Sequence, residues 1–497
     1  MTLALCAQHR RVCALNHVHG HGVNPIVGLA GVALFLQYTC VLFVMSLRTL
    51  ITPFVSAHLL SRERLLRLRE RAEARRVAKG LPHVLLYFHQ VDDPYSHLAA
   101  QALQALEQRY ALRIEPHLVG PPADAAAPDR ARLVAYSRLD AQRLAQVHGL
   151  NFEDLQRQPP EHAVTATSVA LLDAMADGSF TAMASSLGAA LWSPAVQPVR
   201  QAPSGQQLQR LQQALDQGQR LRARLGHYLG ATFYYGGEWY WGVDRLYHLE
   251  KRLQALASQV GAQPQAGQSP TALAQTLLFP PDDCAFPAQP LVGAPDIDFF
   301  FSLRSPYSAI VAPRVFELAR RTGARVHLRY VLPMVMRGLA VPKDKRLYIA
   351  LDAAREAHEH GVPFGRLNDP VGRPTERGLS LMPWAERAGK GQAYVLAFMH
   401  GVWAQGVDAG SDAGLRRIVE QAGLPWAQAR AVLQEGSSGA DSWRSVAEAN
   451  RQALLALGLW GVPSFRVGDL AVWGQDRLGM VQTAVCAQSQ SSQEGLS

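Results

Sequence analysis

Three short constellations in this chain carry residue types that could do chemistry: Ser305-Pro306, Val462-Pro463 and Gln475-Asp476. Proline is favoured at the first position of a helix, so Ser305 stands where a helix begins. Unpaired N–H groups and the positive dipole end gather there and favour an anion. The plainer reading makes Ser305 a helix N-cap that satisfies one of those N–H groups. Val462-Pro463, taken alone, reads as the start of a strand. Asp476 precedes an apolar helix pattern, and a carboxylate there would cap it. The five cysteines, Cys6, Cys13, Cys40, Cys284 and Cys486, form no C-x-x-C pair, which excludes a protein dithiol site and a zinc knuckle. His358 and His360 lie two apart and so point to different helix faces, which argues against a metal. Asp352 and Arg355, at i and i+3, predict a structural ion pair. Trp241 and Trp473 read as core aromatics.

These residues sit in a chain of 497 residues, 48% apolar and 18% charged. That composition excludes a wholly disordered protein and allows about two to four domains. The net charge of +9 is concentrated early, with nine Arg/Lys against three Glu in residues 48–80. Beyond residue 80 the chain is nearly neutral, whereas a nucleic-acid-binding body would carry its own basic face; no nucleic acid is expected as a partner. From Val23 to Leu47 no residue is charged, which predicts a membrane-spanning helix over 25–47. The basic residues that follow place the body in the cytoplasm, anchored to the inner face of the membrane. Met45 opens an alternative start that would remove the apolar run and leave a plain cytoplasmic protein. The Arg-rich helix pattern over 61–79 reads as a solvated lead-in or as a segment lying on an anionic membrane. The His17, His19, His21 run reads as a tail rather than a metal site.

Beyond residue 80 the chain repeats itself. Tyr87–Ser96, containing Pro94 and Tyr95, aligns with Phe299–Ser308, containing Pro306 and Tyr307, at an offset of 212. The same offset pairs Tyr136, Asp140, Arg143 and His148 with Tyr348, Asp352, Arg355 and His360. Near the end of each half the offset becomes 232, where Trp241-Gly-Val-Asp244-Arg245-Leu246 meets Trp473-Gly-Gln475-Asp476-Arg477-Leu478. Internal repeats of this kind predict a tandem of related domains. Each copy reads as a strand (84–88; 297–301), a Pro-initiated helix (94–110; 306–322) and a second strand (112–118; 325–331). A helix-patterned middle and two late strands follow. Strand–helix–strand at this spacing implies a right-handed parallel crossover, and the late pair an antiparallel hairpin. The expected fold is α/β, two tandem thioredoxin-like domains each with an α-helical insertion. The expected boundaries are an extension over 1–80, domains over 81–260 and 296–488, and a linker over 261–295 rich in Gln, Pro, Ala and Gly.

Asp298-Phe-Phe-Phe-Ser-Leu-Arg-Ser305-Pro306-Tyr307-Ser308 resembles the opening of the DsbA-like branch that contains 2-hydroxychromene-2-carboxylate isomerase and kappa-class glutathione transferase. Gly458-Leu-Trp-Gly461-Val462-Pro463-Ser464-Phe465, followed by Trp473-Gly-Gln475-Asp476-Arg477-Leu478, is similar to that branch's second signature. The resemblance covers 296–485 well and 83–260 loosely. It implies that glutathione is the cosubstrate and that its thiolate is stabilised by Ser305 and the helix dipole. It also implies a cis Val462-Pro463 peptide facing Ser305 and pairing the cysteinyl backbone, with Gln475 and Asp476 at the γ-glutamyl end. A thiol of pKa ~8.5 is about 3% ionised at pH 7; a drop of ~2 units raises the thiolate more than tenfold.

The copies are not equivalent. Asp93 occupies the Ser305 position and Ala231 the Pro463 position, which predicts a first domain without catalysis. That domain would pair with the second inside one chain, imitating a homodimer, or bind another ligand; a homodimer of the whole chain is the alternative pairing. Leu339 stands where the branch usually has an asparagine contacting substrate. The expected activity is a glutathione-dependent isomerisation or transfer on a small conjugated or electrophilic substrate: thiolate addition to an enone, bond rotation, and loss of sulfur. The competing expectation is a redox-inert binding protein.

Overall fold

The computed structural model describes residues 49–194, 202–260, 276–281, 287, 289–435 and 442–494. The apolar run at 25–47, Met45 and the histidines before it lie outside them. Among the described residues no helix is long and apolar enough to cross a membrane. The chain divides into a small unit, 1–55, and a large one, 56–497; in the small unit Leu50, Ile51 and Phe54 are exposed.

The large unit opens with α1 (Arg62–Ala78), capped by the Ser61 hydroxyl. Then come β1 (Val84–His89), α2 (Pro94–Tyr110), β2 (Arg113–Leu118), α3 (Arg130–His148), α4 (Glu161–Asp177), α5 (Phe180–Leu191) and α6 (Gly205–Leu225). β3 (Thr232–Tyr235), β4 (Glu238–Trp241) and α7 (Leu246–Val260) complete the first half. The second half repeats the scheme with β5 (Ile297–Phe301), α8 (Pro306–Thr322), β6 (Val326–Tyr330) and α9 (Lys343–Glu359). Six further helices, α10 (Arg373–Ser380) through α15 (Trp443–Ala456), lead to β7 (Ser464–Val467), β8 (Leu470–Trp473) and α16 (Leu478–Glu494).

Two similar four-stranded mixed sheets result, ordered β2-β1-β3-β4 and β6-β5-β7-β8. In each, the first strand lies parallel to the second and antiparallel to the third, as a crossover helix followed by a hairpin requires. The register is shared: Phe88 pairs with Thr232 in one sheet and Phe300 with Ser464 in the other. Stacked aromatics join neighbouring strands at equivalent cross-strand pairs, Tyr87 on Phe233 in the first sheet and Phe299 on Phe465 in the second. Each half has its own extensive apolar core.

One expectation gains a contact and one needs correcting. Phe279, inside the segment read as linker, is buried in the first core, because Glu250 accepts the N–H groups of Leu278 and Phe279 at 2.8 and 3.0 Å. Trp241 and Trp473 are half-buried at the rims of the cores rather than inside them. The Asp352–Arg355 pair is present at 2.6 Å, but Asp352 also serves the other half of the chain.

Candidate functional site

β5 and β7 are antiparallel neighbours, so the end of one and the start of the other meet at the same edge of the sheet. That edge brings Ser305 and Val462-Pro463 together. Ser305 has an extended backbone (φ −92°, ψ 117°) and α8 starts at Pro306 immediately after it. Its hydroxyl accepts the Ser308 N–H at 3.1 Å, the N-cap bond, and donates to the Val462 carbonyl at 3.4 Å. The Val462–Pro463 peptide is cis. Among the described residues the Val462 N–H has no partner, so one backbone donor beside the Ser305 hydroxyl is left for an extended ligand. Gly461 lets this loop press on Trp473: a Cβ there would fall 2.3 Å from the indole Cε2. Residues 461–463 are therefore seated against the indole, next to the head of α8.

Gln475 and Asp476 follow Gly474, whose N–H donates to the Pro463 carbonyl at 2.9 Å, and line a cleft between the two halves with His148, Asp244, Arg314, Glu356 and His360. They form a 3-10 turn with Arg477, directly before the helix Leu478–Glu494. The Asp476 carboxylate faces Arg245 of the first half, whose Nη1 lies 2.9 Å away. Gln475 accepts from Arg314 at 2.8 Å and donates to Glu356 at 2.7 Å and to Asp476. Burial pushes the Asp476 carboxyl up to about 6; Arg245 opposes that, and the nearby Asp244 and Glu356 carboxylates add to it.

The residues that sequence reasoning passed over are the arginines of the same motif. Arg245 forks onto Asp352 across the interface at 3.0 and 2.8 Å, and Arg477 forks onto Asp140 at 2.8 and 2.7 Å. Arg477 also meets Asp244 at 2.9 Å, mirroring Arg245 with Asp476. Tyr95 and Tyr307 hydroxyls donate to Asp140 and Asp352 at 2.8 and 2.7 Å. Burial raises both aspartates, but the facing arginines outweigh it and the net direction is down. The available signal was that Asp140/Asp352 and Arg245/Arg477 keep their identities in both copies while the Ser305 and Pro463 positions change.

In the first half Asp93 caps α2, accepting from Tyr95 N–H, Ser96 N–H and the Ser96 hydroxyl. Burial raises its carboxyl to about 7, against the lowering effect of the Ser96 bonds. Asp93 therefore carries less than a full negative charge at neutral pH. Ala231 keeps the N–H that a proline lacks and gives it to Ser96 Oγ at 2.9 Å, adopting φ +52°. The two heads of the repeat thus differ in both charge and backbone.

The C-terminal half holds a DSBA-like thioredoxin domain, matched over residues 296–485. This region is 28% identical over 195 residues to a 2-hydroxychromene-2-carboxylate isomerase of Sphingobium xenophagum, covering 38% of this chain and 96% of that protein. A protein of the same name from Pseudomonas putida is 24% identical over 197 residues, covering 38% of this chain and 93% of its own length. A solved structure of a 2-hydroxychromene-2-carboxylate isomerase aligns with 40% of this chain and 98% of its own at 23% identity, with a TM-score of 0.35. The match thus runs from the residue before β5 into α16. It encloses Ser305, the Val462-Pro463 loop and the Gln475–Arg477 turn, and it leaves the β1–β4 half outside.

Proposed function

We propose that the C-terminal half is a glutathione-dependent isomerase or transferase acting on a small conjugated or electrophilic substrate, and that the chain is a duplication whose first copy has no catalytic role. The observation that carries this reading is the Ser305 hydroxyl at the head of α8, 3.4 Å from the Val462 carbonyl of the cis-proline loop. Glutathione would supply the sulfur nucleophile that the chain lacks at this position. Ser305 would donate a hydrogen bond to the thiolate, and the first N–H groups of α8 would add the positive dipole end. The Val462 N–H would pair with the cysteinyl carbonyl. Asp476 fits the γ-glutamyl ammonium only in part, since Arg245 already faces it. The distant likeness to 2-hydroxychromene-2-carboxylate isomerases supports the reading; Leu339, where the branch usually has an asparagine, argues for a different substrate.

The test is a titration of protein-bound glutathione, read by thiolate ultraviolet absorbance. The bound thiol should titrate ~2 units below the free one, and Ser305→Ala should restore about 1 unit of that. A bound thiol with an unchanged pKa sinks the catalytic reading. It would leave the second one, a binding protein without catalysis, which is favoured by the occupation of Gln475 and Asp476 by Arg314, Glu356 and Arg245.

A further inference from the structure

The offset of 232 that aligns the late strands also aligns the segment before them. Gly226 and Gly458 both end a helix in the left-handed region, at φ +90° and +75°. Around Gly458 the chain buries Leu454 and Leu459 in an apolar cluster with Tyr136 and Phe300. The corresponding positions around Gly226 are Arg222 and His227, which are 3% and 2% exposed. Two hydrocarbon positions in one half are thus donors in the other. No carboxylate among the described residues pairs with them.

Their hydrogen bonds do not balance. His227 Nδ1 accepts the Leu229 N–H at 3.2 Å, so the neutral ring carries its proton on Nε2. That Nε2 is buried with no acceptor, and so is Nη1 of Arg222. Among the described residues Arg222 reaches only the Gly120 carbonyl, at 3.4 Å through Nη2. Tyr348 of α9 packs edge-on against His227, ring centroids 4.5 Å apart, and its buried hydroxyl has no partner either. Its counterpart Tyr136 accepts the Trp473 N–H at 2.7 Å. Lys345, one turn earlier on α9, lies over the Tyr228 ring and donates to the Ala126 carbonyl at 2.7 Å. Burial lowers Arg222 to about 10 and Lys345 to about 8; it lowers His227 to about 3, with the Arg222 charge adding to the effect and the more distant Asp352 carboxylate opposing it. Donors and cations are gathered here from both halves. The unmet groups are of the kind that a buried site normally pairs with an acceptor.

We propose that Arg222, His227, Tyr348 and Lys345 form a binding site for a small oxyanion, a carboxylate or a phosphate group, between the first half and α9. The full chain, free of glutathione, is unfolded thermally in chloride, acetate or inorganic phosphate at matched ionic strength. At about ten times its Kd, the bound anion should raise Tm by roughly 2–4 °C, saturably. A response to phosphate alone or to acetate alone identifies the group. The double variant Arg222→Leu, His227→Leu restores the pair found in the other half and should abolish the response while folding normally. Tyr348→Phe, which removes one donor and little else, should weaken the apparent affinity about fivefold to tenfold. Flat responses to both anions in the wild-type protein overturn the proposal. So does a response that persists unchanged in the double variant or, should that variant not fold, in Tyr348→Phe.

Discussion

At the head of α2 the Asp93 carboxyl meets three donors of its own turn and still titrates near 7, since removal from water outweighs those bonds. Ser305 does the same capping work at the head of α8 without a charge. The difference predicts a pH dependence. A carboxyl whose folded pKa is raised binds its proton more tightly folded than unfolded, so stability is highest at low pH and falls as pH rises from about 4 through 7. The side chain is only half-buried, which limits the loss to about 1–2 kcal/mol. Asp93→Asn keeps an acceptor and removes the titration. Urea unfolding should find it near wild type at pH 5 and more stable at pH 8. An unchanged wild-type-to-variant difference between the two pH values would show that Asp93 is ionised throughout. At the second head, Ser305→Ala should cost about 1 kcal/mol through the lost cap, and Ser305→Thr should not, which separates capping from any effect on a bound thiol.

Elements were the most legible level. The helices at Pro94–Tyr110 and Pro306–Thr322 begin and end where the sequence predicts, because proline, a capping side chain and a left-handed terminal residue each mark them locally. Both sheets follow from apolar runs and turn glycines in the same way. The role of Asp476 was not legible in this manner, since the group it faces, Arg245, lies more than two hundred residues away and no local pattern announces it. Phe279 escaped for a related reason: one aromatic in a Pro- and Gln-rich stretch reads as linker until Glu250 is seen to anchor its backbone. The loop before β7 offers a test at this scale. Gly461 is not in a left-handed conformation, so its requirement is space alone, with the Trp473 indole 2.3 Å from a would-be Cβ. Gly461→Ala must move the loop or the ring, at about 1–3 kcal/mol. Because Val462 follows directly, the same substitution should weaken the proposed glutathione binding more than it lowers stability. A Gly461→Ala, Trp473→Phe double variant, with a smaller ring, should recover part of both, as calorimetric titration and urea unfolding would show.

The two halves are joined by charge as well as by apolar contact. Arg245 and Arg477 each leave their own half and close on an aspartate of the other, with side chains only 4% and 5% exposed. A buried pair contributes little compared with a well-packed apolar replacement, but breaking it strands an uncompensated charge and costs about 3–5 kcal/mol. Arg477→Met would leave Asp140 facing only the Tyr95 and Tyr136 hydroxyls, and Asp244 without its partner. Removing Arg477 takes away the largest influence lowering Asp140, so burial would then raise that carboxyl. The variant's stability should therefore fall as pH rises past 4, whereas in the wild type the depressed Asp140 and Asp352 favour folding above about 4 and are lost as acid protonates them. Arg245→Met should behave likewise but lose more, since Arg245 serves Asp352, Glu356 and Asp476 together. If these reciprocal clamps make the halves one cooperative unit, the wild-type protein melts in one calorimetric transition and either variant in two. Two transitions already present in the wild type at neutral pH would mean that the apolar cores fold independently and the clamps only orient them.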